Sequence, residues 1–109
     1  MRLYFIYIVL FFFIANHSFA ENKLVMITDE RCIYCIMWEK QIGKIYHKTD
    51  IAENFPLHRI EIKDEKNIYL QAKVTPTFIF LVDSNEKGRI TGYSYPEMFW
   101  WQVDEILER

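Results

Sequence analysis

Cys32 and Cys35 are the only two cysteines in the chain, separated by Ile33 and Tyr34. Thiols at this spacing can close and reopen a disulfide between themselves, which is the chemistry of thiol–disulfide exchange. In that exchange a thiolate attacks a partner's disulfide, and a second thiol then resolves the mixed disulfide. The pair follows a short apolar run, Leu24-Val25-Met26-Ile27, and opens a segment with helical periodicity. Cys32 is therefore expected at a helix start, where unpaired N–H groups and the positive dipole end favour a thiolate. Cys35 is expected one turn in. Cys32 is read as the nucleophile and Cys35 as the resolving thiol. Arg31 is placed to favour the Cys32 thiolate, while Asp29 and Glu30 oppose it.

Three other readings of the pair carry less. A structural disulfide over so short a loop removes only about 2 kcal/mol of unfolded-state entropy, against more than about 4 for a domain-spanning loop. Zinc needs about four ligands. Beyond the two cysteines, the segment after residue 20 offers His47 and His58, whose spacing does not suit a zinc finger. Two thiolates can hold Cu(I), but no methionine cluster accompanies them. The redox reading calls for no metal and no cofactor.

The elements that must position the pair follow from the rest of the pattern. Leu24 to Thr28 reads as a buried strand. Cys35, Trp38, Ile42 and Ile45 recur as one face of a helix running to about Lys48, with Lys40, Lys44 and Lys48 on its solvated side. Gly43 inside that helix costs ~1 kcal/mol against Ala, so close packing or a bend is expected there. Thr49 to Pro56 reads as a polar connection and His58 to Ile62 as a second strand. Asp64 is placed to cap a short helix over Glu65 to Ala72. Thr77 to Val82 is a continuous apolar run, the mark of a strand covered on both faces. Asp83 to Gly88 is turn chemistry, and Arg89 to Tyr93 returns as its partner strand. Ser94 and Glu97 form a capping box for a last helix that buries Phe99, Val103, Ile106 and Leu107 and leaves Trp101 on the polar side. This order predicts an α/β fold, a central four-stranded mixed sheet flanked by helices. Pro76 marks the entry to the apolar strand, since proline cannot donate to a ladder. Only about 5–6% of X–Pro bonds are cis, so composition alone predicts a trans Thr75–Pro76 bond.

The first twenty residues are set apart. Arg2 gives a short positive start, Leu3 to Ala15 is almost unbroken apolar sequence, and Ser18-Phe19-Ala20 supplies small residues where a signal peptidase reads. Cleavage after Ala20 takes 20 of the 109 residues and leaves 89, one small domain spanning 21–109. The apolar stretch is short of the ~20 residues of a membrane span, though an uncleaved inner-membrane anchor is the competing reading. Loss of Arg2 lowers the basic count from 13 to 12 against 15 acidic residues, a net of −3. That balance gives no reason to expect nucleic acid or anionic lipid as a partner. Export also places the cysteines where a disulfide can persist.

The pair at a strand-to-helix junction, followed some forty residues later by Val74-Thr75-Pro76-Thr77-Phe78, resembles the thioredoxin superfamily. Within it, the stretch Cys32 to Trp38, then Ile42 to Tyr46, then Gly88 to Tyr93 and Phe99-Trp100, is similar to the small SoxS-type periplasmic thioredoxins linked to sulfur oxidation. The resemblance implies a minimal thioredoxin-like fold in the periplasm. It also implies a cis bond at Pro76 facing the cysteines, and a Thr75 backbone that pairs with a substrate segment as a short strand. Tyr34, inside the redox loop, joins Thr75 and Pro76 as an expected substrate contact. The implied partners are disulfides of client proteins, sulfur-oxidation components among them, and an inner-membrane thiol donor, with the protein itself a monomer. Two departures stand out. The inner dipeptide is Ile33-Tyr34 where general thioredoxins have Gly-Pro, which leaves reductant against disulfide-forming oxidant open. Met26 stands where thioredoxins carry a buried acid, so a buried-carboxylate relay is in doubt.

Overall fold

The computed structural model describes residues 21–109, so the expected signal segment and its cleavage site lie outside the described residues. Four strands are built from the apolar runs: β1 (Asn22–Thr28), β2 (Leu57–Glu61), β3 (Thr77–Val82) and β4 (Asn85–Thr91). They form one mixed sheet in the order β2-β1-β3-β4, with β1 parallel to β2 and antiparallel to β3, and β3 antiparallel to β4. The two central strands are the two most apolar. Leu24 to Ile27 and Thr77 to Leu81 are all buried, as a strand covered on both faces requires.

The pleat sends alternate side chains to opposite faces. Leu24, Met26, Phe78 and Phe80 meet Trp38, Ile42, Tyr46, Phe99, Val103 and Ile106 in the larger, aromatic cluster. Val25, Ile27, Ile79 and Leu81 form a smaller cluster on the other face with Ala72, beside Ile60, Ile62 and Leu70. The helices of the first face are α1 (Ile33–Trp38), continued by a π turn over Glu39–Gly43, and the C-terminal α4 (Pro96–Leu107). Between α1 and β2 lie a 3-10 turn (Tyr46–Lys48) and α2 (Asp50–Asn54); α3 (Asn67–Leu70) precedes β3.

Several local expectations are corrected. The first helix does not run regularly to Lys48. The Lys44 N–H bonds to the Glu39 carbonyl, five residues back, and this wider turn carries the inward position past Ile45. Ile45 is 49% exposed and Tyr46 is 1% exposed in its place. The close packing expected at Gly43 is real: a Cβ there would lie 2.9 Å from Glu39 Oε1 and 3.2 Å from Trp38 Cζ3. The connection from Thr49 to Pro56 contains α2, starting one residue after Thr49. Asp64 does not cap α3. Its carboxylate accepts from the Lys66 N–H and its carbonyl from the Asn67 N–H, and the helix starts after those turns. It ends at Gln71, whose φ is +58°.

The β3–β4 turn is tighter than expected, because Asp83 and Ser84, both at positive φ, join the paired Val82 and Asn85 directly. Lys87 is left over between the pairs Phe80–Gly88 and Leu81–Glu86, as a β-bulge. Ser94 is not the N-cap of α4. Tyr95 takes that place in extended conformation, with no side-chain cap bond, and Pro96 begins the helix. That moves Glu97 one position too early to close a capping box. Phe99, Val103 and Ile106 are buried as expected, Leu107 is half-buried, and Trp101 is 59% exposed.

Candidate redox site

β1 runs into a tight turn that ends on Cys32. The Cys32 N–H donates to the Asp29 carbonyl, and the Arg31 N–H donates to the Asp29 carboxylate at 3.3 Å. Cys32 is extended, φ −85° and ψ 105°, and is the N-cap of α1. Its carbonyl accepts from the Ile36 N–H, and its sulfur accepts from the Cys35 N–H at 3.0 Å. A helix-terminal N–H thus points at this sulfur, the arrangement that stabilises negative charge there. Cys32 and Cys35 form a disulfide with Cα atoms 5.2 Å apart. Cys32 is 8% exposed and Cys35 2%. Both cysteines are therefore buried, Cys32 slightly less so at the helix cap than Cys35 one turn in. Behind them Trp38, Phe78 and Phe99 pack with ring centroids 5.0–5.7 Å apart.

The sheet brings the second motif to the same end. Ile27 pairs with Thr77, so Pro76 lies beside the end of β1, where the chain turns towards Cys32. The Thr75–Pro76 bond is cis and Pro76 is buried. The loop is held from two sides. Thr77 Oγ1 donates to the Val74 carbonyl at 2.7 Å, and the Gly92 N–H donates to the Pro76 carbonyl at 2.7 Å. Gly92, at φ +85°, turns the chain out of β4 to make that contact. The Gly92 support was not legible as a pattern, because it depends on strands meeting in space; the Thr77 bond is local, three residues back along the chain.

Around the pair the surface is apolar: Ile33 is 70% exposed, Tyr34 56% and Val74 48%. Arg31 is exposed at the rim. Met26 is fully buried and pairs across the ladder with Arg59 of β2. The Arg59 guanidinium grips Glu39, Nε donating to both carboxylate oxygens at 3.1 Å and Nη2 to Oε1 at 3.0 Å. This pair had no signal in the sequence. Among the described residues no three His, Cys, Asp or Glu side chains converge as a metal site.

Residues 15–107 match the family of thioredoxin-like domains. No curated protein sequence matches the chain. Among solved structures, the chain is similar to the periplasmic thioredoxin SoxS from Paracoccus pantotrophus in its reduced form. That likeness has 28% identity and a TM-score of 0.74, over 81% of this chain and 97% of that one. A thioredoxin from Thermus thermophilus gives 18% identity and 0.63 over 80% and 74%, and one from Malassezia sympodialis 11% and 0.67 over 78% and 76%; these two show the fold alone. A dithiol pair at the cap of α1 and a match over most of the chain give one reading: the protein belongs to the thioredoxin-like domain family and is a thiol–disulfide oxidoreductase.

Proposed function

We propose that this oxidoreductase is exported, with residues 1–20 as its cleaved signal segment, and reduces disulfides of client proteins in the periplasm. Cys32 is the nucleophile, Cys35 the resolving thiol, and an inner-membrane thiol donor returns the pair to its reduced form. The observation that carries the roles is the asymmetry of the pair: the Cys32 sulfur accepts a helix-terminal N–H, and Cys32 as a residue is slightly less buried than Cys35. In the forward reaction Cys32 thiolate bonds to one client sulfur and the other client sulfur leaves as a thiolate. Cys35 thiolate then bonds to Cys32, and the second client sulfur leaves. The client gains two electrons and the Cys32–Cys35 disulfide forms.

Thr75 supports the docking role given to the proline loop. Its N–H and C=O enter no backbone hydrogen bond among the described residues, so both are free to pair with an extended client segment. Tyr34 and the exposed Ile33 and Val74 offer that segment an apolar floor. Arg31 adds positive charge beside Cys32. The likeness to a periplasmic thioredoxin SoxS supports the compartment, and a sulfur-oxidation client is what the sequence resemblance implies. Among the described residues no helix is long and apolar enough to cross a membrane.

The test is covalent capture. Cys35→Ser should accumulate mixed disulfides with envelope proteins through Cys32, and Cys32→Ser should accumulate none. Equal capture by the two variants would overturn the assignment of roles. N-terminal sequencing of the exported protein should begin at Glu21, and an intact Met1 would establish the anchored form instead.

A further inference from the structure

Cys35 has a problem that Cys32 does not. It is 2% exposed, so little of it meets bulk water, yet it must become a thiolate to resolve the mixed disulfide. Met26, buried on the adjoining strand, offers no acceptor. Cys35 does, however, form part of the wall of an open groove of about 410 Å³. The same wall carries Glu39, one helical turn further along, and Arg59.

Glu39 is held in one place from two sides. Arg59 grips both carboxylate oxygens, and the carboxylate lies over Gly43, where any larger residue would put its Cβ 2.9 Å from Oε1. The other charged groups on the groove differ. Asp29 is turned to the Arg31 N–H, Glu30 is exposed, and Lys40 and Lys44 are solvated cations. Glu39 is thus the carboxylate fixed on the groove that Cys35 borders.

We propose that Glu39 is the general base for the resolving thiol, accepting the Cys35 proton through water in this groove. The inference rests on the roles given above to Cys32 and Cys35. Once the mixed disulfide has formed, the Cys35 S–H bond breaks and its proton passes through water to the Glu39 carboxylate and on to bulk solvent. The Cys35 thiolate bonds to Cys32 Sγ as the Cys32–client bond breaks. The client sulfur leaves as a thiolate and takes its own proton from solvent. A carboxylate is a much weaker base than a thiolate, so Glu39 serves only to pass the proton on to solvent. The gain is accordingly set below the usual range of acid–base assistance, about 10²–10⁴-fold.

The reduced full-length chain reacting with 5,5′-dithiobis(2-nitrobenzoate) separates the steps, because the probe's chromophore is released once on attack by Cys32 and again on resolution by Cys35. Glu39→Gln should leave the first release unchanged and slow the second about tenfold at pH 7. The second release should also become steeper with pH between 6 and 8 and recover with added imidazole, and Glu39→Asp should fall between. Asp29→Asn and Glu30→Gln should leave the second release alone. An unchanged second release in Glu39→Gln, an equal slowing of both releases, or slowing by Asp29→Asn or Glu30→Gln alone would each overturn the proposal. A native protein whose first release tracks Cys35 rather than Cys32 would overturn the assigned roles and this inference with them.

Discussion

Tyr46 shows how much one misplaced residue can hold. The π turn after Trp38 delivers it, rather than Ile45, to the core, and its hydroxyl donates to the Phe55 carbonyl at 2.6 Å. That bond ties the end of the first helical segment to the chain entering β2. Tyr46→Phe keeps the ring and strands a buried carbonyl, a loss of about 1–3 kcal/mol. Urea unfolding should show a lower midpoint with the same slope. Burial also pushes the Tyr46 phenol well above its ordinary value. A raised folded pKa means its contribution is complete below about pH 10, the unfolded value, and is lost as pH rises above it. The native protein should therefore lose stability above that pH more steeply than Tyr46→Phe. Parallel alkaline curves for the two proteins would show that the phenol ionises as freely folded as unfolded.

The contact between α4 and β4 depends on a missing side chain. Gly88 is buried in β4, and a Cβ there would come within 2.9 Å of both Cγ atoms of Ile106, itself 3% exposed. Gly88→Ala must lift the helix or distort the strand, at about 1–3 kcal/mol. Ile106→Ala alone leaves a cavity costing about 2–5 kcal/mol. Their double variant should be more stable than the sum predicts, since the new methyl fills part of the space; additive losses in thermal unfolding would place the strain elsewhere. What the sequence reveals about such elements follows the range of the interactions involved. Leu24 to Ile27 and Thr77 to Val82 are strands because their own composition demands burial, so the sheet was legible. So were the two cysteines, whose separation along the chain is their chemistry. The register after Gly43 was not, because nothing in local spacing announces a turn one residue wider. Ser94 fitted a cap pattern that Pro96, by starting the helix itself, displaced. The Gly92–Pro76 bond and the Arg59–Glu39 pair join residues 16 and 20 apart in sequence, and only the assembled sheet brings them together.

At the scale of the whole molecule, folding and redox chemistry are one equilibrium seen from two sides. The aromatic core of the larger face, not the disulfide, holds the domain together, because so short a loop removes only about 2 kcal/mol of unfolded-state entropy. The doubly substituted Cys32→Ser, Cys35→Ser protein should therefore remain folded and unfold cooperatively. The sign of the difference between the native oxidised and reduced forms carries more. Any preference of the folded protein for one redox form shifts its potential from that of the same pair in an unfolded chain, by about 30 mV for each 1.4 kcal/mol. A reductase must hold its disulfide form as the comfortable one, so that the dithiol gives electrons away. Oxidised protein should then resist urea better than reduced protein, and the potential equilibrated against glutathione should lie nearer −270 than −120 mV. The N–H that Cys35 offers to the Cys32 sulfur acts in the opposite sense, since it favours a thiolate in the reduced form. Reduced protein that outlasts the oxidised form in urea would mean that this helix-end stabilisation wins. Electrons would then flow from client to protein, and the same two sulfurs would make disulfides instead of breaking them.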